Sequence, residues 1–392
     1  MNNSKTVLSV LVMVSVAHAL NDLLQSVIPA TYPMLKENWN LTFQQIGILT
    51  LVLQLTSSIL QPVVGYFSDR HPRPYELAIG MGGTFAGLWM LAFANSYAMM
   101  LIAVALAGCG SAILHPEASK VARYASGGAK GLAQSIFQVG GNVGRSLGPI
   151  VVALIVLKYG QWSISIVSLI AGAAALILVW VGNWYKKYLT EHTRSGKSKF
   201  EMENQSSLTR KQVAGALIVL LTLMFSKDFY LSNLQNYLTF YLIEKFHVSN
   251  EISQYCLFSV LFASAFGLVL GGKLGDKYGR RYLIWVSILG AAPFALLLPY
   301  CNFIGTMVLA VVIGLIIFTS TSAILVYAMD MLPGNIGMIS GLFFGISFGM
   351  GGIGSAVCGW LADWKGIEFV FFLTSFLPLL GCVAYWLPKD KK

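Results

Sequence analysis

Charge is what this chain of 392 residues has least of. Asp, Glu, Lys and Arg together make up 11% of it, against roughly 25% in soluble domains. With 56% hydrophobic residues and a mean hydropathy of +0.70, no soluble fold hides the apolar runs, and the chain reads as a polytopic membrane protein. Cysteine is also sparse. Cys109, Cys256, Cys301, Cys358 and Cys382 lie scattered in apolar runs with no CxxC pair, which excludes a disulfide framework and a cysteine metal site. No G-x-x-x-x-G-K-[ST] loop occurs, so no ATP site is expected, and nothing in the chain calls for a cofactor.

The net charge of +10 does not point to nucleic acid, because of where the charge lies. Of 26 basic residues, 20 fall in the terminal tails or in alternate connections, and four (Lys36, Lys158, Lys245, Lys365) fall on the opposite side. Arg145 and Lys227 lie inside apolar spans. That asymmetry obeys the positive-inside rule and places both termini in the cytoplasm.

Runs of 18 or more apolar residues give twelve spans, at 7–35, 43–67, 75–94, 97–122, 129–157, 162–185, 212–243, 250–275, 281–300, 304–331, 336–361 and 367–387. The one long hydrophilic connection, 186–211, carries eight basic side chains, His192 included, against three acids. It reads as a cytoplasmic linker between an N-terminal bundle, 1–185, and a C-terminal bundle, 212–392. The stretch from Lys5 to Ala19 imitates a secretory leader with an A-x-A cleavage site. It is read as a true span, because the same pattern returns about 206 residues later.

The halves repeat. "GYFSDR" at 65–70 matches "GKLGDK" at 272–277, "LT" at 41–42 matches "VS" at 248–249, Asp22 matches Asp228, and "SAIL" occurs at both 111–114 and 322–325. Two halves of six spans each are parallel repeats about an axis along the membrane normal, the architecture of an alternating-access carrier. The expected fold is all-α, with twelve transmembrane helices in two pseudo-symmetric six-helix bundles.

Polar residues stand inside several spans. In "HALNDLLQS" His18, Asn21, Asp22 and Gln25 share one helical face. A carboxylate at mid-bilayer costs roughly 2.5–3.5 kcal/mol by insertion scales, so that face must look onto something other than lipid. The fourth span holds "HPEASK", with His115 and Glu117 flanking Pro116. In the fifth, Gln134, Gln138, Asn142 and Arg145 form one stripe, followed by the packing and bending element Gly144, Gly148, Pro149. The seventh carries Lys227 and Asp228, with Tyr230, Tyr237 and Tyr241 on the lysine's face. An internal salt-bridge network is the plain alternative for the charges, and helix-to-helix hydrogen bonds for the amides. Intramembrane ionisable groups otherwise mark a pathway or proton relay.

The loop "GGKLGDKYGRR", 271–281, fits G-x-L-x-D-x-x-G-R-[KR] and resembles the loop signature of the major facilitator superfamily. Gly272 is expected to let helices approach, and Asp276 with Arg280 and Arg281 to form a charged cytoplasmic latch. The first-half copy keeps Gly65, Asp69 and Arg70 but puts Pro72 where the second glycine belongs.

"LND" at 20–22, "LQPVVGY" at 60–66, "HPE" at 115–117, "QSIFQVGGN" at 134–142, "SAILVYA" at 322–328, "LPG" at 332–334 and "SGLFFG" at 340–345 together resemble the bacterial fosmidomycin resistance proteins over essentially the whole chain. The resemblance implies a twelve-helix inner-membrane transporter that exports a drug in exchange for protons, and the chain is expected to act as a monomer. The first, fourth, seventh and tenth spans would line its central cavity. Asp22 and Glu117 would be the coupling carboxylates. His18, Asn21, Gln25, His115, Gln138, Asn142, Arg145, Lys227 and Tyr230 would face an anionic or polar substrate. Arg145 departs from the family pattern, in which a small residue stands, and Asp228 is not carried over from it. A proton moving down 100 mV supplies roughly 2.3 kcal/mol, a concentration ratio of several tens. The rivals are a proton-coupled importer on the same fold, an intramembrane hydrolase using Ser111, His115 and Glu117, and a sensor that carries no flux.

The charge asymmetry makes a first prediction. Topology reporters fused after Lys197 and after Lys392 should both read as cytoplasmic. An external reading at 197 would break the twelve-span arrangement.

Overall fold

The structure is a computed structural model that describes residues 6–127, 130–194, 210–331 and 336–388. The side chains of Asp69, Arg70 and Asp276 lie outside the described residues. Helices follow the apolar runs: α1 Leu8–Ala30, α2 Phe43–Arg70, α3 Glu76–Ala92, α4 Tyr97–Tyr124, α5 Lys130–Val151 and α6 Ile164–Arg194, then α7 Arg210–Phe246, α8 Asn250–Tyr278, α9 Arg280–Leu297, α10 Phe303–Met331, α11 Ile336–Lys365 and α12 Ile367–Thr374. A short helix, Tyr32–Trp39, extends α1, and a 3₁₀ segment, Leu377–Trp386, extends α12. Eleven of these units are long and apolar enough to cross a membrane. The twelfth, Glu76–Ala92, has 17 residues, about 26 Å at 1.5 Å per residue, and completes the set.

Packing repeats with a period of six helices. In the first half α1 lies against α5 and α6, α2 against α4, and α3 against α4 and α6. In the second, α7 lies against α11 and the α12 extension, α8 against α10, and α9 against α10 and the same extension. The halves meet along two seams, α2 with α11 and α5 with α8.

The helix ends repeat as well, and local chemistry explains why. Asn40 (φ 49°) and His247 (φ 54°) are left-handed. Two residues later Thr42 and Ser249 accept a hydrogen bond from the backbone N–H of Gln45 and Ile252, capping α2 and α8. These caps are the "LT" and "VS" of the sequence repeat. The break between α8 and α9 is Gly279, at φ 91°. Proline cannot adopt that angle, so Pro72, at the equivalent place, is followed instead by a longer turn before α3 begins at Glu76.

The expected role of Gly272 needs correction. A Cβ there would meet nothing within 4 Å, whereas one on Gly271 would strike the carbonyl of Thr319 in α10. The close approach belongs to the preceding glycine, because one residue turns the helix face by 100°. Gly65 is likewise not tightly packed, its nearest neighbour being Pro116 at 3.8 Å. Arg281 donates to the carbonyl of Tyr385 at 2.6 Å. Arg280 opens α9, and the acid expected opposite the two arginines, Asp276, lies outside the described side chains.

Hydrogen bonds join the two halves where α2 begins beside the end of α11, and where α8 begins beside the end of α1. Asp363 accepts from the backbone N–H of Phe43 at 2.8 Å and of Gln44 at 2.7 Å, and Gln254 donates to the carbonyl of Ala30 at 2.9 Å. An acid near the C-terminus of its own helix opposes that helix's dipole. Here it serves the unsatisfied N-terminus of a helix in the other half.

Asp363→Ala should therefore loosen this end. Hydrogen bonds to a charged acceptor are worth about 1.5–3 kcal/mol each, so the population open at this end should rise ten-fold or more. Spin-label distances between Asn38 and Glu251 positions would report it; an unchanged distribution would remove Asp363 as a latch.

Candidate functional site

The face of α1 that opened the question looks into a cavity of about 190 Å³ between the halves, lined from α1, α2, α4, α5, α7, α8, α10 and α11. The position of α1 is set by a smooth face on α5. A Cβ on Gly144 would run into the carbonyl of Ala19, and one on Gly148 into the Ser26 hydroxyl, so both glycines are required for the backbones to lie this close. Pro149 lacks the N–H that would bond the carbonyl of Arg145, and α5 loosens soon after into a π-turn, Val152–Val156.

That approach puts Asp22 within reach of four side chains. Arg145 donates from Nη2 to its Oδ2 at 3.0 Å. Asn21 Nδ2 donates to Oδ1 at 3.1 Å and to the Ser111 hydroxyl at 3.3 Å. His18 Nε2 and His115 Nε2 each lie 3.5 Å from Oδ1. His18 stacks on Phe137 at 4.0 Å between ring centroids and lies edge-on to His115 at 5.1 Å. Gln25 lines the cavity and donates to the carbonyl of Ala107 at 3.1 Å. Gln138 and Asn142 line it too, and Asn142 donates to the carbonyl of Gln138 at 2.9 Å.

Across the cavity stands a second pair. Lys227 Nζ lies 3.3 Å from Asp228 Oδ1 and 3.3 Å from the Thr321 hydroxyl, and Ser347 donates to Asp228 Oδ2 at 2.5 Å. Asp228, Thr321 and Ser347 were missed as site residues, though Asp228 was signalled by its match to Asp22.

Two expected residues are not in this group. Glu117 is buried, pairs with Lys120 at 2.9 Å, and does not line the cavity; Lys120 also donates to Ser68. The spacing from 117 to 120 is i,i+3, which places both on one face of α4 turned toward α2. Tyr230 is fully buried in the apolar core and absent from the cavity wall. Tyr237 and Tyr241 share its fate, one donating to the carbonyl of Ser355 at 2.7 Å and the other stacked on Phe371. The hydrolase arrangement is not assembled. His115 Nδ1 faces the carbonyl of Ser111, its Nε2 faces Asp22, and Glu117 is held by Lys120.

Arg145→Ala would leave the Asp22 charge without its cation. Breaking a fully buried pair costs roughly 3–5 kcal/mol; with the Arg145 side chain 29% exposed, less is expected. The melting temperature in detergent should fall, and adding Asp22→Asn should recover part of the loss. A double variant no more stable than Arg145→Ala would mean that the pair is not what holds this region.

Residues 14–355 match the Major Facilitator Superfamily. The chain is 50% identical over 388 residues to the fosmidomycin resistance protein of Escherichia coli (strain K12), covering 99% of this chain and 95% of that one. It is 42% identical to the uncharacterized MFS-type transporter YfnC of Bacillus subtilis (strain 168), covering 99% and 94%. Among solved structures, a bacterial homolog of the human lysosomal transporter Spinster, in an inward-facing and occupied conformation, superposes with a TM-score of 0.78 at 15% identity over 97% of each chain. The nucleoside transporter NupG gives 0.71 at 14% identity, over 97% and 98%.

Proposed function

Because the chain belongs to the major facilitator superfamily, and within it to the fosmidomycin resistance family, we propose that this multi-span transporter exports a small polar drug or metabolite by alternating access in exchange for protons. The site would be the bacterial inner membrane, with both termini cytoplasmic. The observation that carries the reading is the Asp22–Arg145 pair at 3.0 Å on the wall of a cavity shared by both halves. The 50% identical relative is named for resistance to fosmidomycin, and the same class of small polar cargo is extended here to this chain.

The pair constrains how exchange works. Coupling between two ligands is reciprocal, and competition of proton and cargo for one group is the simplest way for each to exclude the other in an exchanger. In our reading Asp22 is that group, and the cargo offers it a hydrogen-bond donor or a positive charge. An acidic or polar part of the cargo rests against Arg145 and Lys227. His18 and His115, both on Asp22 Oδ1, pass the proton between Asp22 and the cavity. The pair also favours a second reading. A purely anionic cargo would draw Arg145 from Asp22 and leave the acid readier to bind a proton, which couples the two in the same direction and makes an importer. Glu117, paired with Lys120 at the edge of α4, acts in neither reading as the cavity's coupling acid.

Proteoliposomes with a set orientation separate the readings. Under an imposed proton gradient, labelled fosmidomycin should move against the proton flow, and Asp22→Asn should abolish uphill transport while keeping downhill exchange. Movement with the protons would favour the importer. Uphill transport by Asp22→Asn equal to the parent's would place the coupling site elsewhere.

A further inference from the structure

The surroundings of Asp22 Oδ1 hold more electron pairs than hydrogens. His18 Nδ1 lies 2.8 Å from the carbonyl oxygen of Phe137, and His115 Nδ1 lies 3.2 Å from that of Ser111. A carbonyl only accepts, so each Nδ1 carries the hydrogen, and a ring that carries its single hydrogen there turns an Nε2 lone pair toward the carboxylate. Both Nε2 atoms are 3.5 Å from Oδ1. That of His18, in a side chain 2% exposed, has no hydrogen-bond partner. The three ligand atoms all lie within 4.8 Å of one another.

This is the donor set of a cation site, and the two 3.5 Å separations from Nε2 to Oδ1 match the spacing of ligands on one ion. Two ligands at about 2.1 Å from a tetrahedral ion stand about 3.4 Å apart. An Nδ1–H bonded to a backbone carbonyl is the outer contact that fixes a ligating histidine's tautomer and ring orientation. Arg145 occupies the other carboxylate oxygen. Asn21 takes one lone pair of Oδ1 at 3.1 Å, and the second is left for an ion. Two imidazoles with one carboxylate suit Zn²⁺, Co²⁺ or Ni²⁺ rather than Mg²⁺ or Ca²⁺, which prefer oxygen alone.

We propose that His18, Asp22 and His115 form a binding site for a divalent first-row transition-metal ion, whose remaining coordination positions open into the cavity. Its three ligands come from α1 and α4, so the ion would tie these two helices together in the middle of the first half. It would also occupy the carboxylate to which the transport reading assigns the proton, and so would stop exchange. That consequence rests on the transport reading; the binding does not.

The test uses the full chain, purified without a histidine tag and titrated with CoCl₂. One Co²⁺ per chain is expected, with visible absorption bands of a four- or five-coordinate ion. His18→Asn and His115→Asn should each weaken binding ten-fold or more, while His71→Asn, at an exposed position outside the cavity, should leave it unchanged. Zinc-edge X-ray absorption on the unsubstituted protein needs no variant to fold and should show two imidazole nitrogens with oxygen. Absence of stoichiometric Co²⁺ uptake, binding indifferent to both substitutions, or a zinc shell with fewer than two imidazoles would overturn the site. Co²⁺ uptake is read at equilibrium, so a chain that binds the ion but moves no cargo would refute the transport reading and support the site.

Discussion

A carboxylate held in the middle of a lipid-embedded helix is tolerated only if the protein supplies the partners that water would have supplied. Asp22 is that carboxylate, and much of the first half is arranged around it. Its four partners come from three helices: Arg145 on α5, His115 on α4, and His18 and Asn21 on its own helix. Arg145 reaches it only because Gly144 and Gly148 let α5 lie against the α1 backbone. Asn21 holds it to Ser111, and so to α4. The packing of three helices and the electrostatics of one acid are therefore a single requirement.

The second half meets the same requirement differently, although it descends from the same repeat. Asp228 finds its cation in the adjacent residue, Lys227, and its hydroxyl donor in Ser347 of α11. The repeat kept the acid and let the partner change. The first cation is fixed by the spacing between α1 and α5, whereas the second travels with its own helix. Capping shows the opposite behaviour, since Thr42 and Ser249 do the same work at equivalent places. Backbone geometry tolerates little variation at a helix start, while a water-accessible cavity tolerates several ways of balancing a charge.

This difference also decides what could be read in advance. The helical spans were legible because apolar run length is local, whereas the caps at Thr42 and Ser249 showed in the sequence only as the matching pairs LT and VS. The polar face of α1 was legible because four residues fall on one arc. Glu117 was assigned to the cavity on the strength of Pro116 and His115 beside it, yet Lys120, one turn on, was the better guide to its partner. Tyr230 shares an arc with Lys227, but one sequence pattern does not separate a cavity wall from a helix interface, and the core claimed it. Gly272 was off by one residue, enough to turn a contact face to open space. Asp363 was not read at all, because its partners are backbone groups about 320 positions away, in the other half.

Asp363 also bears on how such a chain moves. Its two bonds hold the start of α2 to the end of α11 through backbone N–H groups, and bonds to a charged acceptor are worth on the order of 1.5–3 kcal/mol, less where the carboxylate is exposed as here. If transport is coupled to protons as proposed above, one proton crossing 100 mV supplies about 2.3 kcal/mol, of the same order as these two bonds. Under the proposed alternating access, contacts formed at the other end would offset those lost here, leaving only the difference for proton and cargo to tip. The turn at Gly279, with Arg280 and Arg281 opening α9, lies at that opposite end. In the present structure Arg281 bonds the carbonyl of Tyr385, in its own half. On that reading, contacts of matched strength at opposite ends would let so small an input turn the carrier.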